Sequence, residues 1–108
     1  MAYFRELGER LRPVALLMLQ KLQDGTAGDV PTWGYKLLAC APDESVKQLT
    51  VALASPELAT RERATVALGY MGAAALPAQA RVQTALAQAP TEREKRLLEW
   101  SLREMAVE

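Results

Sequence analysis

The feature that most constrains this chain is a repeat. "TVAL" at Thr50–Leu53 returns as "QTAL" at Gln83–Leu86, a shift of 33 residues. Arg63 falls on Arg96 at the same shift, and Leu68 and Met71 fall on Leu102 and Met105 at a shift of 34. The one-residue slip fits turns of different length, "SPELAT" and "QAPT". Each copy reads as a helix, a proline-containing turn and a second helix, because its apolar residues recur at steps of three and four. A single hairpin of this kind cannot bury its apolar stripe, so neighbouring hairpins must stack. The expected fold is therefore all-α, an α-solenoid of stacked helical hairpins with about six helices and no sheet.

A pass along the chain places the pieces. Phe4, Leu7, Leu11, Val14, Met18 and Leu22 lie at helical spacing within Ala2–Gln23, and Pro13 predicts a kink or a break there. Asp24–Pro31, "DGTAGDVP", reads as a loop, and "TWGYKLLACA" as a short helical piece weakened by Gly34. "PDESVKQLTVALAS" is a stronger helix, with a stripe of Val46, Leu49 and Leu53 and with Asp43 and Glu44 suited to its first turn. In "SPEL", Ser55 predicts an N-cap with Pro56 at the first helical position, and Thr60 is a second candidate cap. The helix that follows runs from Arg61 to Gly72 with Ala64, Leu68 and Met71 on one face. Pro77 is placed to open the next helix, striped by Val82, Leu86 and Ala89. The last helix buries Leu98, Leu102 and Met105 behind a Thr91–Glu94 capping box, with Glu92–Arg96 and Glu99–Arg103 as ion pairs along its surface.

Glycines inside a helix need a reason. Gly69 costs about 1 kcal/mol relative to alanine, which close packing between hairpins must offset. Gly72 is more easily placed, since it can end the helix in a left-handed conformation.

Composition bounds the function. At 108 residues, half of them apolar, one domain with a modest core is expected. Lys+Arg and Asp+Glu are equal at 13, so no global basic excess points to nucleic acid. There is no histidine, and Cys40 is the single cysteine, which leaves no cluster for zinc or iron and no disulfide framework. No apolar run approaches the ~20 residues of a membrane span, and the charged N-terminus lacks the look of a signal peptide. The expected setting is cytoplasmic.

"TRERATVALGYMGAAALPAQARVQTAL" resembles the short HEAT-like repeat of phycobilin lyases and many bacterial helical proteins. Arg61, Ala64, Ala67, Leu68, Gly69, Met71, Gly72, Pro77, Ala78, Ala85 and Leu86 stand at the places of that pattern. "KRLLEWSLREM" is similar to a second copy, with Lys95 and Leu102 in the places of Arg61 and Leu68 and without the glycines. The resemblance covers residues 43–106 as two HEAT-like hairpins; residues 1–42 match poorly and read as a divergent N-terminal helical cap within one domain of residues 1–108. A tetratricopeptide array has a similar period, but Tyr70 directly after Gly69 fits it less well.

No nucleophile–base pair, phosphate-binding loop or metal cluster emerges, so the chain is expected not to be an enzyme and to carry no cofactor. Cys40, between alanines and near Leu37 and Leu38, reads as a buried small residue. Trp33 and Tyr35 flank Gly34, and Trp33 is expected to pin the loop. Tyr70 and Trp100 lie off the main stripes of their helices; with Arg63, Arg96 and Arg103 they form the candidate partner-binding set, because Trp, Tyr and Arg dominate interface hot spots. The alternative role for Trp100 is to cover the open end of the stack. The first expectation for function is a non-catalytic scaffold or adaptor that binds another protein, with a homodimer closing one open face as a further expectation. The family resemblance alone implies an alternative, a tetrapyrrole (bilin) lyase subunit or chaperone. A third reading is nucleic-acid binding, disfavoured by the balanced charge.

Overall fold

A computed structural model describes residues 2–24 and 32–106, with side chains from Glu9 and Trp33 onward in the two segments. The described residues are helical, in the order α1 (Ala2–Asp24), α2 (Thr32–Lys36), a 3-10 turn (Leu37–Cys40), α3 (Pro42–Ala52), α4 (Leu58–Met71), a second 3-10 stretch (Gly72–Ala78), α5 (Gln79–Ala87) and α6 (Glu92–Ala106). No strand occurs among them. Five helices have nine residues or more, and α2 is a single turn that runs on into Leu37–Cys40. The expectation of about six helices was therefore slightly high. The expected loop over Asp24–Pro31 lies outside the described residues except for Asp24, the last residue of α1.

α1 does not break at Pro13; the helix runs through it. Pro13 removes one amide donor, and both Pro13 and Glu9, whose carbonyl loses that donor, are exposed. Water can serve the orphaned acceptor there, so the proline is tolerated. The buried stripe of α1 also differs from the sequence expectation. Ala15, Leu19 and Leu22 are buried and Met18 packs beside them, whereas Val14 and Leu17 stay 45% and 54% exposed. The run "VALLML" is apolar all round, so periodicity alone leaves several stripes open. Packing selects the one that sets Ala15 inward, and α1 lies closely over the Leu37–Cys40 turn. The side chains of Phe4 and Leu7 lie outside the described residues.

α3 starts at Pro42, a first-turn position that needs no amide, and has Asp43 and Glu44 in its first turn. Buried Ser45 donates its hydroxyl to the Leu38 carbonyl at 2.9 Å, tying α3 to the preceding turn. On α3, Leu49 and Leu53 are buried and Val46 packs against them.

α4 begins at Leu58, earlier than expected, and neither Ser55 nor Thr60 caps it. Ser55 Oγ instead accepts from the Glu57 amide at 3.2 Å, which stabilises the turn two residues ahead of the helix. Ala64, Ala67, Leu68 and Met71 form its buried face. Gly72 ends α4 with φ 61° and ψ −133°. That region belongs to glycine, although it is not the left-handed helical basin expected. Pro77 sits inside the 3-10 stretch, and α5 opens two residues later at Gln79.

α4 packs along α6 on one side and against α2 on the other. α3 contacts α4 and the Gly72–Ala78 stretch, α5 packs on α6, and α1 touches α3. One core links these elements, from Leu19 and Leu22 through Leu38, Leu49 and Leu68 to Val82, Leu98 and Met105, with Leu102 half-buried against it. The molecule measures 43 × 30 × 21 Å, and its shortest dimension suits two helices, each about 10 Å across. Among the described residues no helix is long and apolar enough to cross a membrane.

Candidate functional site

The site is built on the seam between α4 and α6. Arg61 meets Glu94, the Thr65 carbonyl accepts from the Ser101 hydroxyl at 3.0 Å, and Gly72 lies close to the Glu104 carbonyl. These contacts advance together along both helices, so α4 and α6 run parallel. The partners are 33, 36 and 32 residues apart, close to the period of the sequence repeat.

The Arg61–Glu94 pair holds the N-terminal end of the seam. Arg61 Nε lies 2.9 Å from Glu94 Oε1, while Nη1 donates to the Ser55 carbonyl at 2.8 Å. Glu94 is buried, with its side chain 7% exposed. Its Oε2 has no hydrogen-bond partner among the described residues. Only half of the predicted capping box forms. The Glu94 amide donates to Thr91 Oγ1 at 3.2 Å, but the Glu94 carboxylate reaches across to Arg61 instead of back to Thr91. A charged partner is the stronger attractor for a carboxylate leaving water. Beside this pair Arg93 meets Glu62 at 3.3 Å on the surface. A cavity of about 370 Å³ opens next to the pair, lined by Leu53, Thr65, Ala85, Pro90 and Leu98.

Further along the seam Gly69 faces Trp100. A Cβ placed on Gly69 would come closest to Trp100 Cζ3, with Cη2 at 2.7 Å and Cε3 at 3.1 Å. The indole therefore occupies the space that any side chain at position 69 would need. Small residues were expected to let helix backbones approach; at Gly69 the absence of a side chain instead admits a large ring from the neighbouring helix.

Trp100 is half-buried and meets Tyr70 edge-on, with ring centroids 5.2 Å apart and planes at 71°. Tyr70 in turn stacks on Tyr35 of α2, at 5.7 Å and 19°. A row of three aromatic rings thus crosses α2, α4 and α6. Burial pushes the Tyr35 phenol above its ordinary value; the nearby Arg63 guanidinium pulls it down, and Tyr70 adds a smaller upward push.

The candidate set occupies this region. Arg63, Val66 and Tyr70 recur at steps of three and four on α4, and Arg96, Trp100 and Arg103 at steps of four and three on α6. Arg63 is half-buried, whereas Arg96 and Arg103 are exposed. Tyr70 and Trp100 touch, and Arg63 acts on Tyr35 beside them. The expected ion pairs Glu92–Arg96 and Glu99–Arg103 do not close; Glu92 takes Lys95 at 3.8 Å. Exposed pairs of this kind gain little against side-chain entropy, so their absence costs almost nothing. Trp33 is 67% exposed and stands apart from the aromatic row. Cys40 is half-buried rather than buried. Among the described residues no three His, Cys, Asp or Glu side chains gather as a metal-ion site.

Sequence reasoning missed two members of the site. In the sequence Tyr35 stands out only as flanking Gly34 with Trp33, and Glu94 as half of a capping box. Both carry a signal in their spacing: Tyr35 precedes Tyr70 by 35 residues, and Arg61 precedes Glu94 by 33. Residues about one repeat apart face each other on adjacent helices, so complementary types at that distance are candidates for contact. No protein-family model, curated protein or solved structure matches this chain.

Proposed function

We propose that this chain is a small HEAT-like α-solenoid that binds another protein and performs no chemistry of its own. One row of the stack is α2, α4 and α6; the other is α1, α3 and the Gly72–Ala78 stretch with α5. The observation that carries the reading is the parallel α4–α6 seam, whose contacts join residues 31 to 36 apart. A repeat of 33 to 34 residues built from two-helix units has that consequence. The resemblance of residues 43–106 to HEAT-like repeats supports it, and residues 1–42 enter as a divergent first unit, since α2 packs on α4 as α4 packs on α6.

The binding surface is the outer face of the α2–α4–α6 row, with Arg63, Tyr70, Arg96, Trp100 and Arg103 as its anchors. Interlocked aromatic rings present a rigid contact area, and rigid anchors lose little entropy on binding. Affinity capture with identification by mass spectrometry tests this. Proteins retained by the wild type are expected to be lost by a Tyr70→Ala/Trp100→Ala variant that remains folded by circular dichroism. Retention of every one of them by that variant removes the proposed surface.

A further inference from the structure

We infer that the occupant of this face is a short acidic segment of a partner protein, apolar at its centre; this rests on the protein-binding reading above and specifies its chemistry. The first argument is how the charges are spent. Glu62 and Glu94 are engaged by Arg93 and Arg61, and Glu92 by Lys95. Arg63, Arg96 and Arg103 are in no ion pair among the described residues, and exposed Lys36 follows Tyr35 directly. Glu99 and Glu104 are the carboxylates of α6 left without a cation. The chain as a whole has zero formal net charge, and those pairs are each neutral, yet among the unpaired groups around the aromatic row the cations Arg63, Arg96, Arg103 and Lys36 outnumber the carboxylates Glu99 and Glu104. Guanidinium groups favour carboxylates, which they grip with two parallel hydrogen bonds.

The second argument is layout. Val66, Tyr70 and Trp100 supply an apolar strip, with Arg63 and Arg96 toward one end and Arg103 toward the other. Seven residues separate Arg96 from Arg103, a rise of about 10 Å along α6. Neighbouring helix axes lie about 8–10 Å apart, so Arg63 and Arg96 span a similar distance. An extended chain advances about 3.3 Å per residue and presents alternate side chains to one face, so acidic residues four positions apart, about 13 Å, would lie within reach of successive long arginine side chains. Apolar residues between them would lie on the aromatic strip.

The third argument separates a peptide from a single-stranded nucleic acid, which also favours arginine and aromatic groups. Base stacking needs open ring faces. Here Tyr35 and Tyr70 each spend a ring face on the other and Tyr70 meets Trp100 edge-on, so the row has fewer faces to give to bases than three separate rings would.

The test is fluorescence anisotropy on the full chain with three labelled probes: a short Leu/Phe-centred peptide flanked by Asp and Glu, the same centre flanked by Lys, and a single-stranded oligothymidylate. The acid-flanked peptide is expected to bind saturably and to weaken as salt rises. An Arg63→Gln/Arg96→Gln/Arg103→Gln variant should weaken it by about tenfold or more. If that variant does not fold, the comparison of the two peptides on the wild type decides the matter. Absence of binding by the acid-flanked peptide, or equal or tighter binding of either other probe, overturns the inference. In the capture experiment, loss of a protein with Tyr70→Ala/Trp100→Ala but its retention with the triple arginine variant overturns acidity and leaves the protein-binding reading standing.

Discussion

Replacing Gly69 by alanine sets two opposed effects against each other. Gly69 lies within α4, so alanine should stabilise the helix by about 1 kcal/mol through propensity. The new methyl would, however, lie 2.7 Å from Trp100 Cη2, and closer still to Cζ3, when ordinary contact begins near 3.4 Å. The ring must move by roughly an ångström. Overpacking of this kind costs about 1–3 kcal/mol, and displacing Trp100 from its edge contact with Tyr70 adds about 0.5–1.5 kcal/mol. The net expectation is a loss of about 0.5–3.5 kcal/mol, the sum of the steric and aromatic costs less the propensity gain. In a Trp100→Ala background the obstruction is gone, so the same change should stabilise by about 1 kcal/mol. Urea unfolding of the four proteins in this cycle reads both numbers. The diagnostic is the change of sign. If Gly69→Ala stabilises equally with and without the indole, Trp100 does not occupy the space above Gly69 and the close α4–α6 seam is wrong.

Three further outcomes follow from particular contacts. Arg61→Ala leaves a buried Glu94 carboxylate without its cation and should cost about 3–5 kcal/mol in urea unfolding, whereas Arg61→Met/Glu94→Leu should recover most of that loss. Ser45→Ala takes the hydroxyl donor from the Leu38 carbonyl and should cost about 1–2 kcal/mol by the same assay. Asp43 is held below its ordinary value chiefly by the hydrogen bond from Arg12. A depressed carboxylate stabilises the fold above its unfolded value, and that contribution is lost as pH falls through the folded one. NMR titration of Asp43 should therefore show its midpoint rise in an Arg12→Ala variant, and an unchanged midpoint would remove the Arg12–Asp43 contact.

The elements were legible because local chemistry and periodicity agree on them. Pro42 with Asp43 and Glu44 marks the start of α3, Gly72 the end of α4, and Thr91 the start of α6. The buried residues Leu49, Leu68, Val82, Leu98 and Met105 were read correctly from steps of three and four. α1 was harder, because its middle is apolar on every side and only packing against Leu37–Cys40 selects a stripe. The helix starts at Ser55 and Thr60 were misread because serine and threonine serve turns as readily as caps. The candidate site was half visible. Arg63 and Tyr70 recur at helical spacing on α4 and Arg96, Trp100 and Arg103 on α6, as steps along single helices predict, and Tyr70 and Trp100 touch. Tyr35 and Glu94 escaped notice because their partners lie on another helix, and pairing across helices needs the register between helices rather than the pattern along one.

The most direct test of the parallel seam is the NMR environment of Gly69. The structure predicts nuclear Overhauser contacts between the Gly69 α-protons and the Hζ3 and Hη2 protons of Trp100, with a ring-current shift that vanishes in Trp100→Ala. Gly69 α-protons with no Overhauser contact to the indole, and unmoved by its removal, would contradict the stacking of α4 on α6 and the proposed binding face built upon it.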